Sequence, residues 1–379
     1  MKNENYQPVI GLEIHVELKT LSKMFCGCSA SHFGVEPNTH CCPVCLGLPG
    51  ALPVPNRKAV DWTIMLGLAL NCRISSESKF DRKNYFYPDL PKGYQITQYD
   101  QPLCSGGQLG LKNGLKTSVR RVHLEEDTGK LLHTETEGQK CTLIDFNRSG
   151  VPLAEVVTEP DFESIEQVDE FLKKLQLIIR YLGISDADME KGTMRIEPNI
   201  SLRKLDAKRL TLDARKLPPY KVEVKNINSF RFVRKAIEFE IIRQTEILEK
   251  GEMPLQETRG WNESKNETVS QRSKEEAHDY RYFPEPDIPP MSFDETSIRR
   301  LAGQIPELPD DKIERFIAEY KLNGYNAEIL CQEKFLADYF EKTVKLKAGN
   351  QELEAKEIAN WIINKNPDIN TISPEKLLE

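Results

Sequence analysis

A chain of 379 residues with 39% hydrophobic and 29% charged side chains is long enough for more than one core and too evenly mixed to be disordered or fibrous. It has no run of about 18 apolar residues, and its opening MKNENYQPVI lacks the basic stretch and apolar core of a secretory leader, so a cytoplasmic protein with no membrane span is expected. A net charge of −7 argues against a stand-alone nucleic-acid binder, leaving RNA contact to local basic patches or to a partner.

In chain order, residues 9–19 (VIGLEIHVELK) alternate strictly. Leu12, Ile14, Val16 and Leu18 point one way and Glu13, His15 and Glu17 the other, which predicts a half-buried strand with an acidic face carrying one imidazole. Residues 26–50 read as a Cys/Gly/Pro-rich loop. Asn56 is placed to cap a helix to about Leu70. Residues 79–102 lack helical period and predict irregular chain with short strand. Strand-like runs fill 103–160, with turn signals at Gly106-Gly107 and Asn113-Gly114. Ser164 and Gln167 form a capping box before the apolar stripe Ile165, Val168, Leu172, Leu175, Ile179 and Leu182, which Gly183 ends. Short strands are predicted near 193–203 and 219–226, then a helix from Ser229 to Lys250. Residues 254–293 read as irregular and strand-like and close on the Pro-dense YRYFPEPDIPP, after which short helices are predicted at 309–320, 326–345, 353–365 and from 373. The expected fold is α+β: a large, mostly antiparallel sheet domain with flanking helices over 1–293, followed by a small all-helical domain over 294–379.

Two groups of residues carry metal chemistry. Cys26-x-Cys28 and Cys42-x-x-Cys45 are separated by thirteen residues, with Pro43, Gly47 and Pro49 supplying turns, and predict a zinc knuckle at 26–45. Cys41 is set aside because adjacent side chains rarely reach one ion. A closed four-thiolate site has no open position, so its expected role is structural. The second group is oxygen-rich. Glu13, His15 and Glu17 share a strand face, His123-Leu-Glu125-Glu126-Asp127 is dense in acid, and Glu155 sits among Leu153, Ala154, Val156 and Val157 with Glu159 nearby. A carboxylate in apolar surroundings must be paired or metal-bound. Oxygen ligands with one imidazole favour magnesium, which phosphoryl transfer needs.

Basic and aromatic residues interleave in KFDRKNYFYPDLPKGYQ (79–95). Lys79, Arg82 and Lys83 are placed there to contact phosphates while the neighbouring rings stack on bases. DFNRSG (145–150), EVKNINSFRFVRK (223–235) and YRYFPEPD (280–287) repeat the theme. No phosphate-binding loop of the G-x-x-x-x-G-K-[ST] type, no G-x-G-x-x-G and no G-x-S-x-G elbow is present.

The stretches VIGLEIHVELKT, KMFCGCS, CPVCLGLPGALPVPN, ESKFDRKNYFYPDLPKGYQITQYDQP, HLEEDTGK, DFNRSGVPLAEVVTEPD, EVKNINSFRFVRKAIEFE and DYRYFPEPDIPP, in this order, resemble the GatB/GatE family, the B subunit of the glutamyl/aspartyl-tRNA amidotransferase. The resemblance implies ATP-dependent activation of misacylated Glu-tRNA(Gln) or Asp-tRNA(Asn) as an acyl phosphate. It also implies amidation with ammonia from a GatA-type glutaminase subunit, in a heterotrimer with a small GatC-type subunit. It implies a "cradle" sheet domain with magnesium ligands at Glu13, His15, Glu126 and Glu155. Strand alternation puts Glu125 and Glu126 on opposite faces, and the resemblance alone selects Glu126. Arg195-Ile-Glu197-Pro-Asn199 departs from the family's usual R-C-D-A-N, and the family's C-terminal tail domain is expected to be missing after Glu379. The rival reading is a zinc-stabilised tRNA-binding scaffold without catalysis of its own.

Overall fold

The computed structural model describes residues 5–136, 138–205, 216–273, 279–346, 351–365, 368–369 and 371–377. The elements run β1 (Tyr6–Glu17), α1 (Arg57–Ala69), β2 (Arg73–Ile74), β3 (Glu77–Ser78), β4 (Asp81–Asn84), β5 (Tyr94–Thr97), β6 (Cys104–Gly110), β7 (Lys116–Glu126), β8 (Lys130–Thr136), β9 (Gln139–Asp145) and β10 (Pro152–Thr158). They continue through α2 (Ile165–Leu182), β11 (Met194–Lys204), β12 (Val222–Lys225), α3 (Phe230–Glu249), β13 (Glu257–Asn262), β14 (Glu267–Ser273), β15 (Phe283–Pro284) and β16 (Met291–Ser292). The last helices are α4 (Glu295–Ala302), α5 (Pro309–Tyr320), α6 (Gly324–Leu330), α7 (Lys334–Leu346), α8 (Gln351–Lys365) and α9 (Pro374–Leu377). The protein is therefore mixed α and β. Among the described residues, no helix is long and apolar enough to cross a membrane.

Nine strands form one sheet in the order β14-β13-β12-β11-β1-β10-β7-β6-β2, antiparallel except for β12 against β13. The alternation of β1 decides which face is which. Leu12, Ile14 and Val16 are fully buried, whereas Glu13, His15 and Glu17 are half-buried on the opposite side. Val122, Leu124, Val156 and Ile196 continue the apolar layer. Helix α1 packs on β6 and β7, and α3 packs on β11 and β14. At roughly 25 cal/mol per Å² of apolar surface removed from water, this layer supplies the main force holding β1 at the sheet centre.

Helix ends follow local chemistry. Asn56 caps α1 by accepting from the Lys58 and Ala59 amides, and Ser229 caps α3 through Phe232. Ser164 accepts from the Gln167 amide, while the Gln167 side chain reaches back to the Glu163 amide, one residue beyond the reciprocal box. Two expectations change. Gly106-Gly107 is not a turn but lies inside β6; Gly106, at φ 66°, is passed over in the pairing with β7, which resumes in the same register at Gly107. The single helix expected over 326–345 is two, α6 and α7. The Cys331 carbonyl accepts from the buried Tyr181 hydroxyl at 2.9 Å, which takes it out of the helical ladder.

The chain divides into two compact units, Met1–Lys173 with Ile184–Ala302, and Lys174–Gly183 with Gly303–Glu379. The first contains the large sheet. The second is helical, with a core of Phe316, Tyr320, Leu330, Phe340, Ala355, Ile358 and Ile362. Its buried Lys312 is held by Asp338 and Glu341 at 2.9 and 3.0 Å.

Candidate functional site

The four knuckle thiols converge. Cys26, Cys28, Cys42 and Cys45 offer sulfurs that all lie within 4.8 Å of one another, and the Cys42–Cys45 pair is 3.8 Å apart. A tetrahedral ion bonded to sulfur at about 2.3 Å keeps its ligands about 3.8 Å apart, so the donor set fits zinc. Cys41 lies outside the group and faces Asn147. The thiols are not equivalent. Hydrogen bonding from Cys26, opposed by burial and aided by the Cys42 amide and Lys23, brings the Cys45 thiol down to about 4. Burial and Cys42 push Cys28 up to about 11. Hydrogen bonding within the cluster thus shifts Cys45 toward the thiolate, the form that binds metal. Lys23 is fully buried beside it and donates to the His40 and Phe146 carbonyls at 2.7 and 3.2 Å, tying the Cys loop to the segment after β9.

On the polar face of the sheet, register does what no local motif can. Glu155 of β10 lies directly between His15 of β1 and His123 of β7, and Arg195 of β11 flanks His15 on the other side. His15 Nε2 is 3.4 Å from Glu125 and 3.5 Å from Glu155, and His123 Nε2 is 3.1 Å from Glu155. His15, Glu125 and Glu155 each offer a ligand atom within 4.8 Å of the others, as do Glu13, Glu197 and Glu223 one row further along. An octahedral magnesium ion with bonds of about 2.1 Å holds adjacent ligand atoms about 3.0 Å apart, so the first group needs only a small contraction. Its electrostatics favour a cation at this spot. Burial opposes a charged His15, yet the charge and hydrogen bond of Glu155, with Glu125 and Glu197, raise its imidazole to about 9. Burial likewise opposes charge on Glu155, but the two histidines hold it well below the usual carboxylate range. Burial, then the Glu155, Glu223 and Glu197 charges, raise Glu13, which accepts from Asn199 at 3.1 Å. Glu197 is held low, against burial, by Lys225 at 2.8 Å. The Nδ1 atoms of His15 and His123 are buried without a hydrogen-bond partner among the described residues.

Three expected residues are placed elsewhere. Glu126 is on the other face of β7 from His123 and Glu125, because side chains alternate along a strand. Its buried carboxylate is compensated there by Lys92 at 2.5 Å and the Ile96 amide at 3.0 Å. Glu125 takes the expected place beside His15 and Glu155. Lys79 is bound to Asp81 and Asp100 at 2.5 and 2.6 Å. Arg82 forks onto Glu285 at 2.6 and 2.9 Å, reaches Asp287, and stacks on Tyr94. Neither lines the polar basin, whereas Lys83 does, its ammonium 4.8 Å from the Tyr280 ring.

That basin, about 850 Å³, opens over the polar face. Its floor is Glu13, His15, His123, Glu125, Glu155 and Glu197; its walls include Lys83, Arg121, Arg148, Arg195 and Lys225. Tyr85, Tyr280 and Tyr282 form an aromatic rim, and Tyr282 stacks on Tyr99 at 4.1 Å. Asp127, kept ionised against burial by Arg195 and Arg148, braces two of the arginines. His123, Glu125, Arg121 and Lys225 are among the basin residues that the ligand expectation left out. The two-residue step from His123 to Glu125 was the available signal for the first pair.

Fold and site together define a sheet-based protein with an acidic, histidine-containing cluster under a basic and aromatic basin, plus a separate cluster of four thiols. The family model described as the GatB/GatE catalytic domain matches residues 8–299. The B subunit of the aspartyl/glutamyl-tRNA(Asn/Gln) amidotransferase of Thermodesulfovibrio yellowstonii is 52% identical over 361 residues, covering 94% of this chain and 72% of its own length. The protein of the same name from Thermosipho melanesiensis is 53% identical over 376 residues, 99% of this chain and 76% of that one. The Thermomicrobium roseum protein is 53% identical over 360 residues, covering 94% and 72%. The chain belongs to the GatB/GatE family.

Proposed function

We propose that this chain is the B subunit of an aspartyl/glutamyl-tRNA amidotransferase, acting in the cytoplasm with a GatA-type glutaminase subunit and a small GatC-type subunit. It uses ATP to convert Glu-tRNA(Gln), Asp-tRNA(Asn) or both to the amidated forms. The side-chain carboxylate of the misacylated residue attacks the γ-phosphorus of ATP, giving an acyl phosphate and ADP. Ammonia from the glutaminase subunit then attacks the activated carbonyl carbon, phosphate leaves, and the amide loses a proton. The observation that carries the reading is the convergence of His15, Glu125 and Glu155, with Glu13 alongside, beneath a cation-lined basin. It occurs in a chain about half identical, over most of its length, to proteins named as this component of the amidotransferase.

Glu13, His15, Glu125 and Glu155 would hold magnesium. When bound, that ion neutralises polyphosphate charge and orients the γ-phosphate for in-line transfer. The protein's own part is positioning. His123 holds Glu155 from the side opposite His15, and orienting a ligating carboxylate in this way is typical of metal sites. Lys83 offers the basin an ammonium on an aromatic seat. The tyrosine rim limits water, which would hydrolyse an acyl phosphate. Cys26, Cys28, Cys42 and Cys45 would hold zinc as a structural clamp. The sheet unit, the family's cradle, carries the chemistry.

The test is to assemble the chain with its partner subunits and assay amidation of each misacylated tRNA with and without ATP. Glu125→Ala and Glu155→Ala should abolish ATP-dependent amidation while glutamine hydrolysis by the partner persists. Full amidation by either variant, or tRNA binding with no ATP turnover by the parent complex, refutes the assignment in favour of a scaffold.

A further inference from the structure

The basin holds six cationic side chains: Lys83, Arg120, Arg121, Arg148, Arg195 and Lys225. Four are already committed to carboxylates. Arg120 forks onto Glu159 at 2.9 and 2.7 Å. Arg148 and Arg195 share Asp127, and Lys225 is bound to Glu197. Lys83 and Arg121 have no carboxylate within ion-pair distance among the described residues. Arg121 makes one long contact, from Nη1 to the Tyr99 carbonyl at 3.5 Å, and its Nε is buried without a hydrogen-bond partner among the described residues. A buried guanidinium donor left unpaired costs free energy unless a ligand accepts from it.

The backbone explains how Arg121 comes to face the basin beside Arg120. Along β7 the pairing with β10 steps from Val157–Arg121 to Thr158–Val119, so Arg120 is an extra residue on β7. Such a bulge breaks strict alternation and re-aims side chains. Arg121 keeps the face of His123 and Glu125, one two-residue step of about 7 Å from His123. Its single contact is itself fixed. The Tyr99 amide donates to Asp81 at 3.0 Å, Asp81 is held by Lys79, and the Tyr99 ring stacks on Tyr282. Lys79, expected to touch phosphate, is paired here with the Asp81 that holds the Tyr99 amide.

We propose that Arg121 is a substrate-binding residue of the basin and, with Lys83, grips the phosphate oxygens of the nucleotide next to the His15–Glu125–Glu155 cluster. This rests on the functional reading above and adds to it the residue that recognises the polyphosphate. A planar guanidinium whose one contact is a long bond from Nη1 keeps donors for phosphate oxygens, and it leaves the carboxylate ligands to the cation. Phosphate oxygens also occur at a tRNA 3′ end, so the two sources are separated by which substrate's KM moves.

The experiment is steady-state amidation by the full chain assembled with its partner subunits, varying ATP and aminoacyl-tRNA independently. It compares the parent with Arg121→Gln and Arg121→Lys, alongside direct titration of each with a non-hydrolysable ATP analogue and magnesium. Arg121→Gln should raise the KM for ATP and weaken analogue binding by about 10- to 100-fold, with the KM for tRNA within about twofold. Arg121→Lys should recover part of the loss. An unchanged KM for ATP, or a rise confined to the tRNA KM, overturns the proposal. If Arg121→Gln does not assemble, the Lys variant decides, since it keeps the charge and loses the fork: analogue affinity equal to the parent's overturns it. A parent complex that neither binds the analogue nor turns over ATP would instead sink the functional reading itself.

Discussion

The thiol knuckle and the carboxylate–histidine cluster are both candidate metal centres, yet they are built in opposite ways. The knuckle draws its four ligands from twenty consecutive residues, Cys26 to Cys45, and needs only turns and one buried lysine to bring them together. The sheet cluster draws His15, Glu125 and Glu155 from β1, β7 and β10 and exists only because antiparallel register aligns them. A local centre stabilises the loop that makes it, whereas a register-built centre borrows its geometry from the whole sheet. The first should therefore govern stability and the second activity.

The largest effect should come from separating Glu125 and Glu126, neighbours on opposite faces. Glu125→Gln should lower amidation by at least about a thousandfold, because phosphoryl transfer depends on the charge of the metal site, with a melting temperature near the parent's. Glu126→Gln should do the converse. It strands Lys92 in a buried site and should cost about 3–5 kcal/mol in urea unfolding, while magnesium affinity stays close to normal. Equal metal affinities for the two variants would undo the distinction between the faces.

Next in size is removal of the thiol clamp. Cys42→Ser, or stripping with a strong chelator, should release one equivalent of bound zinc and lower the melting temperature by about 5–10 °C, as a loss of a few kcal/mol does in a unit of this size. The magnesium dependence of the remaining folded enzyme should not change. A smaller contrast lies in β4. Arg82→Lys keeps the charge but loses the fork onto Glu285, and should cost about 1–3 kcal/mol without altering the KM for ATP. Lys83→Ala should raise that KM and leave the melting temperature alone. The smallest effect should be Asn56→Ala, which removes the cap of α1 and the bonds to the Ser22 and Lys23 carbonyls at the knuckle's entrance. About 1–2 kcal/mol in thermal unfolding is expected, with no change in kinetics.

The features legible in the sequence were those that need few residues. The alternation of β1, the Asn56 and Ser229 caps and the spacing of the thiols are each decided within at most about twenty residues of chain, and the structure carries each of them. Alternation alone also put Glu125 and Glu126 on opposite faces; the step from His123 to Glu125, opposite the apolar Val122 and Leu124, was the local signal for which of them shares the polar face, and the pairing of β7 with β10 then sets it beside His15. The same holds for Arg120, the extra residue of a bulge against β10, and for Gly106-Gly107, whose turn-like composition lies inside β6 instead. The α6–α7 break escaped because Cys331-Gln-Glu is acceptable helix sequence, and what interrupts it is a tyrosine hydroxyl 150 residues away in the chain.

The most direct test is anomalous diffraction at the manganese edge from crystals of the assembled enzyme soaked with Mn²⁺ in place of Mg²⁺. A peak bonded to His15 Nε2 and to carboxylate oxygens of Glu125 and Glu155, on the basin side of the sheet, is the expected result. A peak ligated by Glu126, or ordered manganese in the basin with no ligand from His15 or Glu155, would contradict it.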